Sequence, residues 1–315
     1  MEYKILIVGA GQLGSRYLQG LALSNLSLNI FVYDINEISL DTAKNRWEEV
    51  NNSNSKKVNF ITTYDTVPLE IDLAIISTTA NVREAIITTL SDKFHIRNWV
   101  LEKVLTQSIE SLNKINTLLK SSNVWVNTFF RTVELFKNVK ENTSKGPLNF
   151  EIKGGNWGLA CNTIHILDFI YWWTQEKIEY IDVSNLENKW FESKRKNFWE
   201  INGKINISFT NTINATLISD DSTSPFLIKI NSNTEEWIIY WDESTAVRND
   251  GLEFVTKIKL QSEATSDLVR SILINNNSNL PTLESSIYLH TNLLKNLLSH
   301  WNRDKSVVEN ILPIT

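Results

Sequence analysis

The chain has 315 residues, 42% of them apolar, with 11 Trp and 13 Phe; one core rarely serves so long a chain, so two domains are expected. A formal charge of −5 and a pI near 5.5 argue against a nucleic-acid partner, the densest basic run being the solvated turn Lys194-Arg195-Lys196. The single cysteine, Cys161, excludes an intrachain disulfide framework, and four histidines in no ligating spacing predict no metal.

The opening residues already read as a strand, which leaves no room for a signal sequence. The longest aromatic run, Phe169–Trp173, is too short to span a bilayer. A cytoplasmic location with no membrane partner is expected.

Tyr3–Val8 is apolar and β-branched and leads into Gly9-Ala10-Gly11-Gln12-Leu13-Gly14 and a helix-like pattern. Average usage puts glycine near 7% of residues, whereas this chain has 10 in all, so the cluster is informative. In a dinucleotide-binding turn Gly9 makes the bend, Gly11 lets the backbone approach a pyrophosphate, and Gly14 lets the helix pack on the strand. The N–H groups of the helix start, over Ala10 to Leu13, would hold the phosphates. About twenty residues on, Leu28–Asp34 reads as a second strand ending in an acid, the spacing the motif requires. The Asp34 carboxylate, with Ile35 beside it, can accept both ribose hydroxyls and repel a 2′-phosphate; NAD is therefore favoured over NADP. The alternative is a solvated Asp opening the turn Asp34-Ile35-Asn36.

A helix follows over Ser39–Val50, then a polar connector over 51–57, expected to be an exposed loop. Val58–Thr62 is a short strand, and Ile71–Ser77 a stronger one ending at Thr78-Thr79-Ala80-Asn81, where strand ends in such sheets face a ligand. Asn98–Lys103 is the next strand, Ser108–Lys120 the next helix, and Val124–Asn127 closes the unit. This alternation predicts a parallel sheet covered on both faces.

From Leu148 the pattern changes. A short strand enters the second glycine cluster, Gly154/Gly155/Gly158, followed by the apolar helix Leu159–Trp173. Ile205–Phe209, Ala215–Ile218, Phe226–Ile230, Trp237–Tyr240 and Phe254–Leu260 read as an antiparallel sheet with one buried face. The last helix, Leu283–Trp301, has Thr282 as candidate N-cap and Glu284 in its first turn. The fold class is α/β: a Rossmann doubly wound domain over 1–124, then an α+β domain over 125–315 with a large, mostly antiparallel open sheet. Trp237, Ile239 and Trp241 alternate with Ile238 and Tyr240, so that sheet is apolar on both sides and predicts a homodimer or homotetramer.

Three places together resemble the Gfo/Idh/MocA oxidoreductases, the glucose–fructose oxidoreductase and inositol dehydrogenase group, over nearly the whole chain. They are the glycine turn with Asp34, the strand end Leu101-Glu102-Lys103-Val104, and Gly155-x-x-Gly158-x-x-Cys161-Asn162-x-x-His165-x-x-Asp168. The family's Glu-Lys-Pro is Glu-Lys-Val here, Cys161 stands where its first acid would be, and Thr163 replaces a later glycine. The resemblance implies hydride transfer between NAD and a hydroxyl or carbonyl of a sugar, cyclitol or sugar derivative, possible work in surface-carbohydrate synthesis, with Lys103 and His165 catalytic. It adds Thr78, Thr79, Asn81, Glu102 and Lys103 to the cofactor site. Lys103, Arg131, Trp157, Cys161, Asn162 and His165 form the substrate site. A partly desolvated Lys beside a cationic ring would have a lowered pKa and polarise the hydroxyl, and His165 would exchange its proton.

Each residue also has a bland reading. Glu102-Lys103 alone is a solvated strand end, His165 a core histidine, and Cys161 a small filler. Trp157 either stacks on a sugar ring or packs. Asn127 and Arg131 stand where the family has polar residues near substrate, Arg131 serving as an anion binder or an interdomain ion pair. Asp168 continues the His165 face and is expected to hold the imidazole. His95, His290 and His300 read as structural or exposed. The rivals to the sugar oxidoreductase are a non-catalytic NAD-binding regulator on the same fold and a reductase of a non-sugar carbonyl.

Overall fold

The computed structural model describes residues 2–50 and 56–315. Of the expected connector, 51–55 lie outside the described residues, and Lys56 and Lys57 already belong to a strand. The chain forms two compact units: Met1–Thr106 with Glu110–Asn127 and Lys259–Ser286, and Gln107–Ile109 with Thr128–Ile258 and Ile287–Thr315. A division at 124/125 assigns 259–286 to the second domain; in the structure they pack with the first.

The first unit runs β1 (Tyr3–Val8), α1 (Gln12–Ala22), β2 (Leu28–Tyr33), α2 (Glu37–Val50), β3 (Lys56–Ile61), β4 (Glu70–Ile71), β5 (Leu73–Ile76), α3 (Ala80–Lys93), β6 (His95–Ile96), β7 (Asn98–Glu102), α4 (Ile109–Leu118) and β8 (Asn123–Asn127). Six strands pair in parallel in the order β3-β2-β1-β5-β7-β8, while β4 and β6 form a separate two-residue pair. The central strands are apolar without alternation, Ile5–Val8 and Leu73–Ile76 being fully buried, as strands covered on both faces must be. Strand order reverses between β1 and β5. Ligands of such sheets bind outside the strand carboxyl ends at that crevice.

The second unit begins with a 3-10 turn, Phe129–Thr132, then α5 (Glu134–Glu141), β9 (Asn149–Gly155), α6 (Leu159–Thr174) and β10 (Ile178–Leu186). A short pair, β11 (Phe191–Glu192) with β12 (Trp199–Glu200), precedes β13 (Gly203–Phe209), β14 (Ile213–Asp220), β15 (Leu227–Asn231), β16 (Glu236–Tyr240), β17 (Thr245–Arg248) and β18 (Glu253–Val255). The eight-stranded sheet has the order β10-β13-β14-β9-β15-β16-β17-β18 and is antiparallel except where β14 runs parallel to β9. Alternation holds: Ile228, Ile230, Trp237 and Ile239 are fully buried, Ile238 and Tyr240 half-buried. α6 meets this sheet through Phe169 and Trp173 against Phe150, ring centroids 6.0 and 5.8 Å apart.

The strand expected over Phe254–Leu260 is confined to β18, and Leu260 caps the next helix, α7 (Gln261–Asn275). α7 belongs to the first unit; only Thr265, Val269 and Ile272 on it are buried, too thin a stripe to stand out in sequence. α8 (Leu283–Trp301) follows, with the Thr282 hydroxyl accepting the Ser285 N–H at 3.4 Å. Among the described residues no helix is long and apolar enough to cross a membrane.

Candidate functional site

At the carboxyl end of β1 the three glycines differ in what surrounds them. Gly9 sits at φ +95°, which an L side chain resists, and its N–H bonds to the Tyr33 carbonyl at 2.9 Å. A Cβ on Gly14 would lie 1.7 Å from the Gly9 carbonyl oxygen, so α1 reaches the strand only as glycine. A Cβ on Gly11 would meet nothing within 4 Å. Gly11 is thus the open side of the turn, at the N-cap of α1, where backbone donors and the helix dipole attract an anion.

Asp34 follows β2 and closes the same turn. Its Oδ2 accepts the Ala10 N–H at 2.7 Å and its Oδ1 the Asn36 N–H at 2.9 Å, so the carboxylate is fixed yet keeps lone pairs for a ribose diol. Ile35 beside it is 82% exposed. Leu13 packs against the core, and Gln12 is exposed, its Oε1 accepting Arg46 Nη2 at 2.7 Å. The donor set and the opening fit the diphosphate and ribose of a dinucleotide.

Two further strand ends border this edge. Thr79 is the N-cap of α3 and Asn81 lies exposed in its first turn. Arg83 on α3 is fully buried and donates to the carbonyls of Thr78, Val104 and, at 3.0 Å, Leu105. It ties the turn after β5 to the turn after β7, where the Lys103–Val104 peptide is cis. Lys103 is half-buried there.

Glu102 is only 4% exposed, and its Oε1 accepts the Tyr17 hydroxyl at 2.5 Å and the Asn127 amide at 2.7 Å. Asn127 also donates to Gln261 of α7 at 2.9 Å. Burial pushes both the Glu102 carboxyl and the Tyr17 phenol up from their usual values, Tyr17 further raised by the Glu102 charge. The side chains of Glu102 and Asn127, read as cofactor and substrate groups, are thus engaged in a network inside the first unit.

In the second unit Phe129, Phe130, Trp157, Asn162, His165, Ile166, Phe226 and Trp241 line a cavity of about 270 Å³. His165 is 7% exposed and stacks on Phe130, centroids 5.4 Å apart, and Trp241 also stacks on Phe130 at 5.0 Å. Asn162 and His165 share one helical face, as positions three apart do, and the Asn162 amide donates to the Trp157 carbonyl at 2.6 Å. Trp157 both packs and lines: its indole N–H donates to the Ile218 carbonyl at 2.8 Å and its ring lies 5.3 Å from Phe226.

Three expectations are corrected. Asp168 does not hold the His165 ring; its carboxylate takes Arg131 Nε at 2.9 Å and Nη2 in a bidentate pair. Arg131 is therefore neither an open anion binder nor an interdomain bridge, since both partners belong to the second unit. Burial pushes the Asp168 carboxyl up, against the opposing pull of Arg131 and Thr128. Cys161 is not among the lining residues of the cavity; its thiol sits 3.8 Å from the Gly158 carbonyl.

Sequence reasoning missed Glu200. From β12 its buried carboxylate accepts the Ala160 N–H at 2.8 Å and the Cys161 N–H at 3.2 Å, capping the start of α6. Phe129, Phe130, Phe226 and Trp241 were missed too, because nothing in sequence separates a lining aromatic from a core one.

No model of a known protein family matches the sequence, and no curated protein matches it. Solved structures do share the fold along its length. UDP-N-acetylglucosamine 3-dehydrogenase GnnA from Acidithiobacillus ferrooxidans superposes with a TM-score of 0.71 at 12% identity, over 94% of this chain and 97% of that one. An oxidoreductase from Agrobacterium radiobacter, solved with NAD+, L-tartaric acid and magnesium, gives 0.73 at 12% identity over 96% and 97%. A super-repressor mutant of Gal80p from Saccharomyces cerevisiae gives 0.73 at 13% identity over 96% of both chains.

Proposed function

We propose that the protein is an NAD-dependent oxidoreductase of the Gfo/Idh/MocA type, acting on a hydroxyl or carbonyl of a sugar, cyclitol or sugar derivative. The observation that carries this reading is the turn after β1, sealed by Gly9 and Gly14, open at Gly11 and closed by Asp34. The shared fold of a sugar-nucleotide dehydrogenase and an NAD+-bound oxidoreductase supports it.

A bound nicotinamide supplies the hydride acceptor or donor. The chain's own groups do the rest. The N-terminus of α1 holds the diphosphate through the Gly11–Leu13 N–H groups, and Asp34, fixed by the Ala10 N–H, holds the ribose and disfavours a 2′-phosphate. Thr78, Thr79 and Asn81 at the neighbouring strand end belong to the cofactor site, and Lys103 orients and polarises the substrate hydroxyl. His165 takes its proton in oxidation and returns it in reduction, so that loss of hydride leaves no charged alkoxide. Asn162 on α6 and Trp157 just before it are assigned to the substrate; that both line the cavity beside His165 supports this.

The test is a screen of sugars and cyclitols for NADH formation, followed by His165→Ala. Turnover should fall by about 10²–10⁴-fold with NAD affinity unchanged. The Gal80p likeness favours a second reading, an NAD-binding regulator; NAD binding without turnover on any member of the panel would support that reading and overturn the first.

A further inference from the structure

The cavity of the second unit is aromatic on most sides and carries no fixed charge. Among the described residues no Lys, Arg, Asp or Glu lines it, and Arg131, in the turn that supplies Phe129 and Phe130, is consumed by Asp168. Its polar lining is limited to Asn162 and His165, which lie together on α6.

Resting on the oxidoreductase reading above, we propose that the group seated in this cavity is a single uncharged pyranose-sized ring with an apolar face, bearing neither phosphate nor carboxylate. Three features lead there. Aromatic faces are electron-rich, so Phe226, Trp157 and Trp241 attract the C–H face of a ring and repel an anion. An anion seated here would lose its water with no Lys or Arg in the cavity lining to replace it. The volume, about 270 Å³, falls just under the range of about 300–1,000 Å³ that encloses drug-sized ligands, which suits one ring and not a whole nucleotide sugar. Asn162 and His165 then meet the hydroxyl edge of the ring while the aromatic wall takes its face.

The experiment is competitive ligand-observed NMR on the full chain, with and without NAD+, using two matched series, gluco and galacto: the 6-deoxyhexose, the hexose, the hexuronate and the hexose 6-phosphate. The neutral members of at least one series should bind at least tenfold more tightly than the uronate and phosphate. Phe226→Arg should reverse that order by giving the anions a partner; Phe226→Ala should weaken the neutral ring about tenfold at an unchanged melting temperature. Equal or tighter binding of a charged member by the unmodified protein overturns the proposal, as does the absence of any neutral binding. Neutral preference without NAD+ binding leaves it standing and removes the oxidoreductase reading, whereas NAD+ binding with anion preference does the opposite.

Discussion

Breaking the Arg131–Asp168 pair should be among the costliest single changes in the second unit. The side chains are 13% and 1% exposed and joined by two parallel hydrogen bonds. An exposed pair is worth about 0–1 kcal/mol, but removing one member of a buried pair strands the other and costs about 3–5 kcal/mol. Asp168→Asn keeps the shape and one acceptor, so it belongs at about 3; Arg131→Leu leaves a carboxyl in dry surroundings and belongs near 5. At about 2–4 °C per kcal/mol for a domain of 150–250 residues, the melting temperature should fall by about 6–20 °C. Arg131→Leu carries a further signature. With the guanidinium gone, burial lifts Asp168 still further above its unfolded value of 3.8. A carboxyl so raised contributes stability that is fully present below 3.8 and lost as pH rises through the folded value, so the defect should shrink on acidification. The double substitution Arg131→Leu/Asp168→Leu, which leaves neither charge, should recover most of the loss. Thermal unfolding by circular dichroism from pH 4 to 8 measures all of this. Losses under 1 kcal/mol at neutral pH, or a double variant as weak as the sum of the singles, would refute the buried-pair account.

Three other outcomes are expected. By isothermal calorimetry the unmodified protein binds NAD(H) more tightly than NADP(H), and Asp34→Ala narrows that gap; a native preference for NADP(H) contradicts the role given to Asp34. Glu102→Gln, which keeps the acceptor for Tyr17 and Asn127, stabilises the protein at pH 7–8 by about 1.4 kcal/mol for each unit by which burial lifts the acid. Because the raised carboxyl contributes below 4.5 and loses that contribution as pH rises, the advantage should vanish near pH 4; an advantage independent of pH means the carboxyl is not the cause. Association through the eight-stranded sheet, with Ile238 and Tyr240 on its half-buried face, predicts a dimer or tetramer by light scattering at micromolar concentration, and a monomeric mass removes it.

What was legible in the sequence is what neighbours in sequence decide. The glycine turn works through contacts among Gly9, Gly14 and a strand beside them, and Asp34 acts on Ala10 across one strand pair. Asn162 and His165 share a face because a helix fixes it. The roles that were misread depend on partners far away. Asp168 lies three residues from His165, yet the residue that claims it is 37 positions back, in a 3-10 turn with no periodicity to announce it. Asn127 looked like a ligand group because it stands where the resembling family has polar residues near substrate, but Tyr17, 110 residues away, and Gln261, on the overlooked helix α7, hold it inside the core.

Cys161 shows how such distance can mislead. Where the resembling family carries an acid, this chain has a thiol, and the sequence alone reads that as a lost charge. In the structure the Cys161 backbone N–H donates to Glu200, 39 residues on, and a Cβ placed on Gly158 would stand 3.4 Å from both the Cys161 thiol and the Glu200 carboxylate. A carboxylate therefore does reach the start of α6, supplied by β12 instead of by the helix itself. It is turned onto the helix N-terminus, where the first-turn N–H groups of Ala160 and Cys161 hold it. The charge at that helix end belongs to holding α6 in place, and the proton chemistry proposed for the site falls to His165 one turn further along.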